Sequence, residues 1–259
     1  MKRVIATLSA AALLVAGCGG SSTGGAMENA AARKVTGQVV VFAAASLKES
    51  FTRIGTEFEA AHPGTTVTFN FGASSTLARN ITQGAPADVF AAASPATMKT
   101  VTSAGEADGE PAVFVRNQLQ IVVPRGNPAK VTGLADFARA DLKIALCAKQ
   151  VPCGAAAERA FAAAGVVPKP DTFEQDVKAT LTKVVLGEVD AALVYRTDVR
   201  AAGDKVIGVD FPEAAKAIND YPIVALKSAP NAAAAGAFVA FVQSAKGQAT
   251  LAKAGFAAP

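Results

Sequence analysis

The chain reads as an α/β protein of two lobes with mainly parallel sheets. Three observations predict this. Short apolar runs of strand character alternate with segments of helical period along most of the chain, the pattern of parallel sheets covered by helices on both faces. About 220 residues follow the first 36, enough for one large domain or two smaller lobes. Two of the strand-like runs, 119–123 and 221–226, fall between regions that each resemble a complete α/β set, and these are expected to connect the lobes.

The start of the chain is a processing segment. Met1-Lys2-Arg3 is a basic head, residues 4–16 are almost wholly apolar, and Leu14-Val15-Ala16-Gly17-Cys18 follows. A basic head, an apolar core and a small-residue cleavage site make an export signal, here too short to span a bilayer comfortably. Leu-Val-Ala-Gly-Cys resembles a bacterial lipobox, which implies cleavage before Cys18 and a lipid on its thiol. The alternative is a plain signal peptide with an incidental cysteine. Residues 1–17 are thus expected to be a signal peptide. Residues 18–36, rich in Gly, Ser and Ala, are expected to form a flexible tether of roughly 20–25 Å root-mean-square reach. The protein is expected outside the cytoplasm, held at the cell membrane.

The remaining elements follow in order. Residues 39–42 form a buried strand, and Leu47, Phe51, Ile54 and Phe58 mark one helical face. Pro63-Gly64 ends that unit. Val67, Phe69 and Phe71 alternate as in a strand, 76–83 is helical, 88–90 is a short strand, and Ser94-Pro95 opens another helix. Strands are expected at 119–123, 142–146, 189–195, 206–209 and 221–226. Helices are expected at 134–140, 155–164 and 177–186, then from an Asn231 cap to about 245, and at 247–254. Lobe I is expected to hold 37–118 and 224–259, and lobe II 119–223.

Composition narrows the function. The net charge of +4 falls when Lys2 and Arg3 leave with the signal, to 23 basic against 21 acidic residues. Such a balance offers no surface for nucleic acid and no polybasic membrane patch. With Cys18 taken by lipid, Cys147 and Cys153 remain in an oxidising compartment, and a local disulfide is expected. A metal site is the weaker alternative, since the single histidine, His62, sits in a His-Pro-Gly turn; no cation site and no cofactor are expected. Enzyme signatures are missing: no Gly-x-Ser-x-Gly elbow, no phosphate-cradling Gly-x-x-x-x-Gly-Lys loop, no metal-ligand spacing, and no histidine placed as a general base.

The chemistry lies at strand-to-helix junctions. Ala45-Ser46-Leu47 and Ala73-Ser74-Ser75-Thr76 each place hydroxyls where helix-start N–H groups are free, a combination suited to an anion. Ser46 with Glu49 also has capping-box spacing, so either serine taken alone could be an ordinary N-cap.

Val41-Phe42-Ala43-Ala44-Ala45-Ser46-Leu47, Ala73-Ser74-Ser75-Thr76-Leu77-Ala78-Arg79 and Gly84-Ala85-Pro86-Ala87-Asp88-Val89-Phe90 resemble the signature of the molybdate-binding proteins of ABC uptake systems. Val151-Pro152-Cys153-Gly154, Asp176-Val177, Leu193-Val194-Tyr195 and Tyr221-Pro222-Ile223 fit the same family in the same order, across about 39–256. The resemblance implies a type II periplasmic-binding-protein fold: two lobes joined by a two-strand hinge, with molybdate or tungstate held between them by neutral donors. It implies hydroxyl and backbone donors from Ser46 and Ser74, backbone N–H donors from Cys153 and Val177, and the phenol of Tyr195. The family often has Ala where this chain has Cys153, a harmless change if only the backbone donates. An ABC permease is the implied partner and a monomer the expected state. Two alternatives remain: a receptor for another small oxyanion such as sulfate or thiosulfate, and a tethered, non-enzymatic interaction protein.

Overall fold

In the computed structural model, which describes residues 35–259, ten strands form two five-stranded sheets. The expected signal segment, Cys18 and the tether up to residue 34 lie outside the described residues. The first sheet holds β1 (Gly37–Ala44), β2 (Thr65–Gly72), β3 (Val89–Ala91), β4 (Ala107–Asn117) and β10 (Asn219–Leu226), in the order β2-β1-β3-β10-β4. The second holds β5 (Leu119–Pro124), β6 (Ile144–Cys147), β7 (Thr172–Glu174), β8 (Ala191–Tyr195) and β9 (Val206–Val209), in the order β7-β6-β8-β5-β9. The two orders are the same pattern repeated.

Each sheet has three parallel strands, as the alternation predicted. The fourth and fifth bring antiparallel pairings, so the sheets are mixed rather than mainly parallel. The cause is an exchange between lobes. β4 leaves the first sheet and the chain runs almost directly into β5, which inserts antiparallel between β8 and β9. β9 leaves the second sheet, and β10 inserts antiparallel between β3 and β4. The runs 119–123 and 221–226, expected as lobe connections, therefore each lie wholly within one sheet. The chain crosses between sheets at Gln118 and again over 210–218. The return expected at 224 falls inside β10, which pairs with β4 from Asn219↔Asn117 onward. Asn219-Asp220 are poor strand formers, and Pro222 sits where the register shifts, so the sequence understated this strand's start.

Helical periodicity translates directly into core. In α1 (Lys48–Ala61), Phe51, Ile54 and Phe58 are fully buried. They meet Phe238 of α7 (Ala232–Gln243), with Phe58 and Phe238 rings at 5.3 Å between centroids. Asn231 caps α7 by accepting from the Ala234 N–H, and Ser244 caps α8 (Ala245–Ala254) from Gly247. On the other face, α2 (Ser74–Thr82) and α3 (Pro95–Ser103) bury Leu77, Ile81, Met98 and Val101 against Phe42 and Phe90. In the second lobe α4 (Pro152–Ala164), α5 (Val177–Val185) and α6 (Arg196–Ala202) enclose Ile121, Ile144 and Leu193. The short helix expected at 134–140 is a 3-10 turn, Leu134–Ala138.

Three elements were not legible. β4 opens Ala-Asp-Gly-Glu-Pro, residues depleted in strands, and is tolerated because it lies at a sheet edge. β7 is only three residues long. α6 starts at the residue after β8, with no turn signal between them.

Cys147 at the end of β6 and Cys153 in the first turn of α4 form a disulfide, Cα to Cα 5.8 Å. The loop between them folds so tightly onto α4 that a Cβ on Gly154 would collide with the carbonyls of Ala148 and Cys147. Closing a loop of about seven residues restricts the unfolded chain by roughly 2 kcal/mol. Replacing both cysteines with serine should lower the unfolding free energy by about that amount in urea titrations. Gly154→Ala should destabilise by at least about 1–3 kcal/mol through overpacking, even with the disulfide intact.

Candidate ligand-binding cleft

The parallel strands of both sheets end at the same place, between the lobes. Ala44–Ser46 follow β1, Gly72–Ser74 follow β2 and Ala93 follows β3; Val151–Cys153 follow β6, Asp176-Val177 follow β7, and Tyr195 ends β8. Together they line a small cleft that opens to solvent, about 230 Å³ with its mouth included. Ligands in open α/β sheets sit beyond the carboxyl ends of the strands, where helix starts present free N–H groups. All five residues singled out in the sequence, Ser46, Ser74, Cys153, Val177 and Tyr195, line this cleft, and none is more than 4% exposed.

The serines are not caps. Ser46 lies inside a 3-10 turn, Ala45–Leu47, that runs directly into α1; the extended residue that begins the coil is Ala44. Its Oγ is 2.9 Å from Tyr221 Oη. The Ser46–Glu49 capping box does not form, and the Glu49 carboxylate reaches across to Lys178 instead. Ser74 is the first residue of α2, with Ala73 at the cap position. Its Oγ accepts from the Ala93 N–H at 3.0 Å, which leaves its own proton to donate.

The second lobe contributes backbone donors. Asp176 caps α5, its Oδ1 accepting from the N–H groups of Lys178 and Ala179, and so leaves the Val177 N–H uncommitted. Among the described residues no acceptor faces the N–H of Ser74, Cys153 or Val177, as expected for first-turn donors. The Cys153 sulfur is held in the disulfide, so no thiolate faces the cleft. Tyr195 Oη accepts from Asn219 Nδ2 at 2.7 Å. Burial pushes the Tyr195 phenol above its ordinary range, with the Asp198 carboxylate adding to the effect; burial does the same to Tyr221. Both phenols stay protonated at any physiological pH. Apart from Tyr195, Asp176 is the one ionisable side chain among the lining residues; its Oδ1 is committed to the first turn of α5, and the other lining groups are neutral.

Sequence reasoning missed the groups behind these donors. Tyr221 was part of a quoted motif without a role, and Asn219 carried no signal. It missed also that Lys178 joins the lobes. Its Nζ lies 2.8 Å from Glu49 of α1 and 3.0 Å from Asp198 of α6. Asp198 is fully buried. Burial raises its pKa against the opposing pull of Lys178, while Asp198 and Glu49 outweigh the effect of burial on Lys178 and hold its ammonium above the ordinary range.

With this geometry in place, comparison with known proteins separates family from ligand. Residues 39–257 match the family model described as bacterial extracellular solute-binding protein. The chain belongs to the bacterial extracellular solute-binding proteins. Within them it is 44% identical over 251 residues to the molybdate-binding protein ModA of Mycobacterium tuberculosis H37Rv, covering 96% of this chain and 95% of that protein. Its fold resembles the Azotobacter vinelandii periplasmic molybdate-binding protein, with a TM-score of 0.74 at 21% identity over 85% of this chain and 99% of that one. It resembles the Mycobacterium tuberculosis sulfate-binding protein SubI equally, with a TM-score of 0.75 at 18% identity over 85% and 86%. Solute-binding proteins of one backbone shape thus take different oxyanions, and the choice rests on the lining groups.

Lys178→Met should cost about 3–5 kcal/mol, because it leaves Asp198 buried without a counter-charge. A carboxyl group whose folded pKa is raised favours the folded state at lower pH. The deficit relative to wild type should therefore shrink as pH falls and Asp198 takes up a proton, a trend that urea titrations at pH 7 and pH 5 would measure.

Proposed function

We propose that this protein captures molybdate, and tungstate with it, between its lobes outside the cytoplasm and delivers it to an ABC permease. The observation that carries the reading is the convergence of Ser46 and Ser74 from one lobe with Cys153, Val177 and Tyr195 from the other on one cleft that no cationic side chain lines. The name of the 44% identical relative supports the choice of ligand. Lipidation of Cys18 would hold the protein at the membrane, and residues 18–36 would lift the two lobes off its surface.

The physics favours a large tetrahedral dianion. Each hydrogen bond to a charged acceptor contributes roughly 1.5–3 kcal/mol, and a buried donor left unpaired costs about 1–3 kcal/mol. An oxyanion large enough to reach both lobes satisfies every donor, whereas the smaller sulfate leaves some unmet. Protonated phosphate must donate a hydrogen bond, and the neutral donors give it little to donate to. Because donors come from both lobes, ligand binding favours the closed arrangement.

Thermal scans of the purified protein with molybdate, tungstate, sulfate or phosphate at equal concentration test this. At a thousand times the dissociation constant a ligand stabilises by about 4 kcal/mol, so molybdate and tungstate should raise the Tm by several degrees and the others little. A shift with sulfate alone would move the protein to a sulfate-receptor reading, and no shift with any would remove the oxyanion reading. Ser74→Ala and Tyr195→Phe should each weaken molybdate binding at least about tenfold by calorimetry.

A further inference from the structure

Tyr195 can hold an anion only if its single proton points into the cleft. A phenol that donates to a protein acceptor behind it would turn a lone pair toward the ligand and repel it. What decides this is the side chain of Asn219, and an amide can face either way.

Asn219 is almost fully buried, and its surroundings are not symmetric. On one side Arg159 Nη2 stands 2.6 Å from Asn219 Oδ1. A guanidinium has no acceptor, so only the amide oxygen can face it. On the other side Nδ2 donates to the Ala93 carbonyl at 2.9 Å and to Tyr195 Oη at 2.7 Å. The amide's two protons are used, and the phenol, accepting one of them, keeps its own proton to donate. Arg159 lies on α4, outside the cleft wall, with its stem largely exposed. We propose that Arg159 is a positioning residue for ligand binding: by fixing the Asn219 amide it makes Tyr195 an obligate donor. Without its guanidinium the amide loses the partner that enforces its orientation, and the phenol gains an acceptor in Asn219 Oδ1. This rests on the oxyanion reading of the cleft.

The test is a double-mutant cycle with a second measurement that needs no ligand. Arg159→Met should weaken molybdate binding about tenfold in the otherwise unaltered protein, and by less than about twofold when Tyr195→Phe is already present. Arg159→Lys, which returns a cationic donor, should bind within about threefold of wild type. In the ligand-free protein, Tyr195→Phe should shift the NMR signals of the Asn219 side-chain amide protons, and should not when Arg159→Met is present. Equal losses of affinity with and without the phenol, no loss from Arg159→Met, or an amide response to Tyr195→Phe that ignores Arg159 would overturn the proposal. If the unaltered protein binds no oxyanion, the reading of the cleft fails, while the amide signals still decide whether Arg159 sets the direction of Tyr195.

Discussion

A buried hydroxyl that accepts a hydrogen bond from the protein behind it keeps its proton to offer outward. The cleft depends on this constraint. Ser74 accepts from the Ala93 N–H and Tyr195 from the Asn219 amide, so each keeps its proton to give. The backbone N–H groups of Cys153 and Val177 are donors by nature. A wall built this way is electropositive without carrying a charge. It avoids the cost of burying cations, which would be strongly destabilising whenever the cleft is empty. Apart from the Asp176 carboxylate it offers few side-chain acceptors, so on the proposed reading selectivity against protonated anions would follow from the same hydrogen bonds that favour an unprotonated one.

The strand exchange places these donors opposite one another. The strand each sheet receives from the other lobe runs antiparallel to its neighbours, and the two crossings meet at one rung of the first sheet, Asn117↔Asn219. Both asparagines turn toward the second lobe. Asn117 Nδ2 donates to Thr197 of α6 at 2.8 Å, and Asn219 to Tyr195. Asn219, where the chain re-enters the first sheet, is therefore also the residue that bonds the cleft-lining hydroxyl of Tyr195. Lys178 adds a second link between the lobes, pairing with Glu49 across the cleft and neutralising the buried Asp198 behind Tyr195. Closure and donor geometry are coupled through shared side chains.

The parts legible in the sequence were those set by local rules. Phe51, Ile54 and Phe58 declared a helix face by spacing alone, and Asn231 declared its cap. Ser46 and Ser74 were legible as residues of a helix start, yet capping rules misread what they do there. The capping role of Ser46 failed because Ala44 had already begun the coil, which no spacing rule reports. Ser74 failed as a cap because its partner, the Ala93 N–H, is nineteen residues away, just beyond β3. Asn219 and Lys178 were invisible for the same reason: their meaning comes from residues 20 to 129 positions distant. β4 was missed because an edge strand can carry Asp, Gly, Glu and Pro at little cost, so its residues do not announce it.

Selectivity by size requires walls that do not adapt, and the second lobe's wall is built to that requirement. The disulfide pins Cys153 to the end of β6, and Gly154 lets the Cys147–Ala148 carbonyls pack against the first turn of α4 with no room between them. The Cys153 N–H is thereby fixed relative to the sheet that also carries Tyr195. On the first lobe, Ala44, Ala45, Ala73 and Ala93 line the cleft with side chains too short to rotate into it. A flexible wall would close around a small anion and bind it nearly as well as a large one. A rigid wall leaves the small anion short of a donor at one side, and the resulting unpaired group, at about 1–3 kcal/mol, supplies roughly ten- to a hundredfold discrimination for each donor lost. On the proposed reading, the disulfide at Cys153 therefore strengthens the property on which the choice of anion would depend.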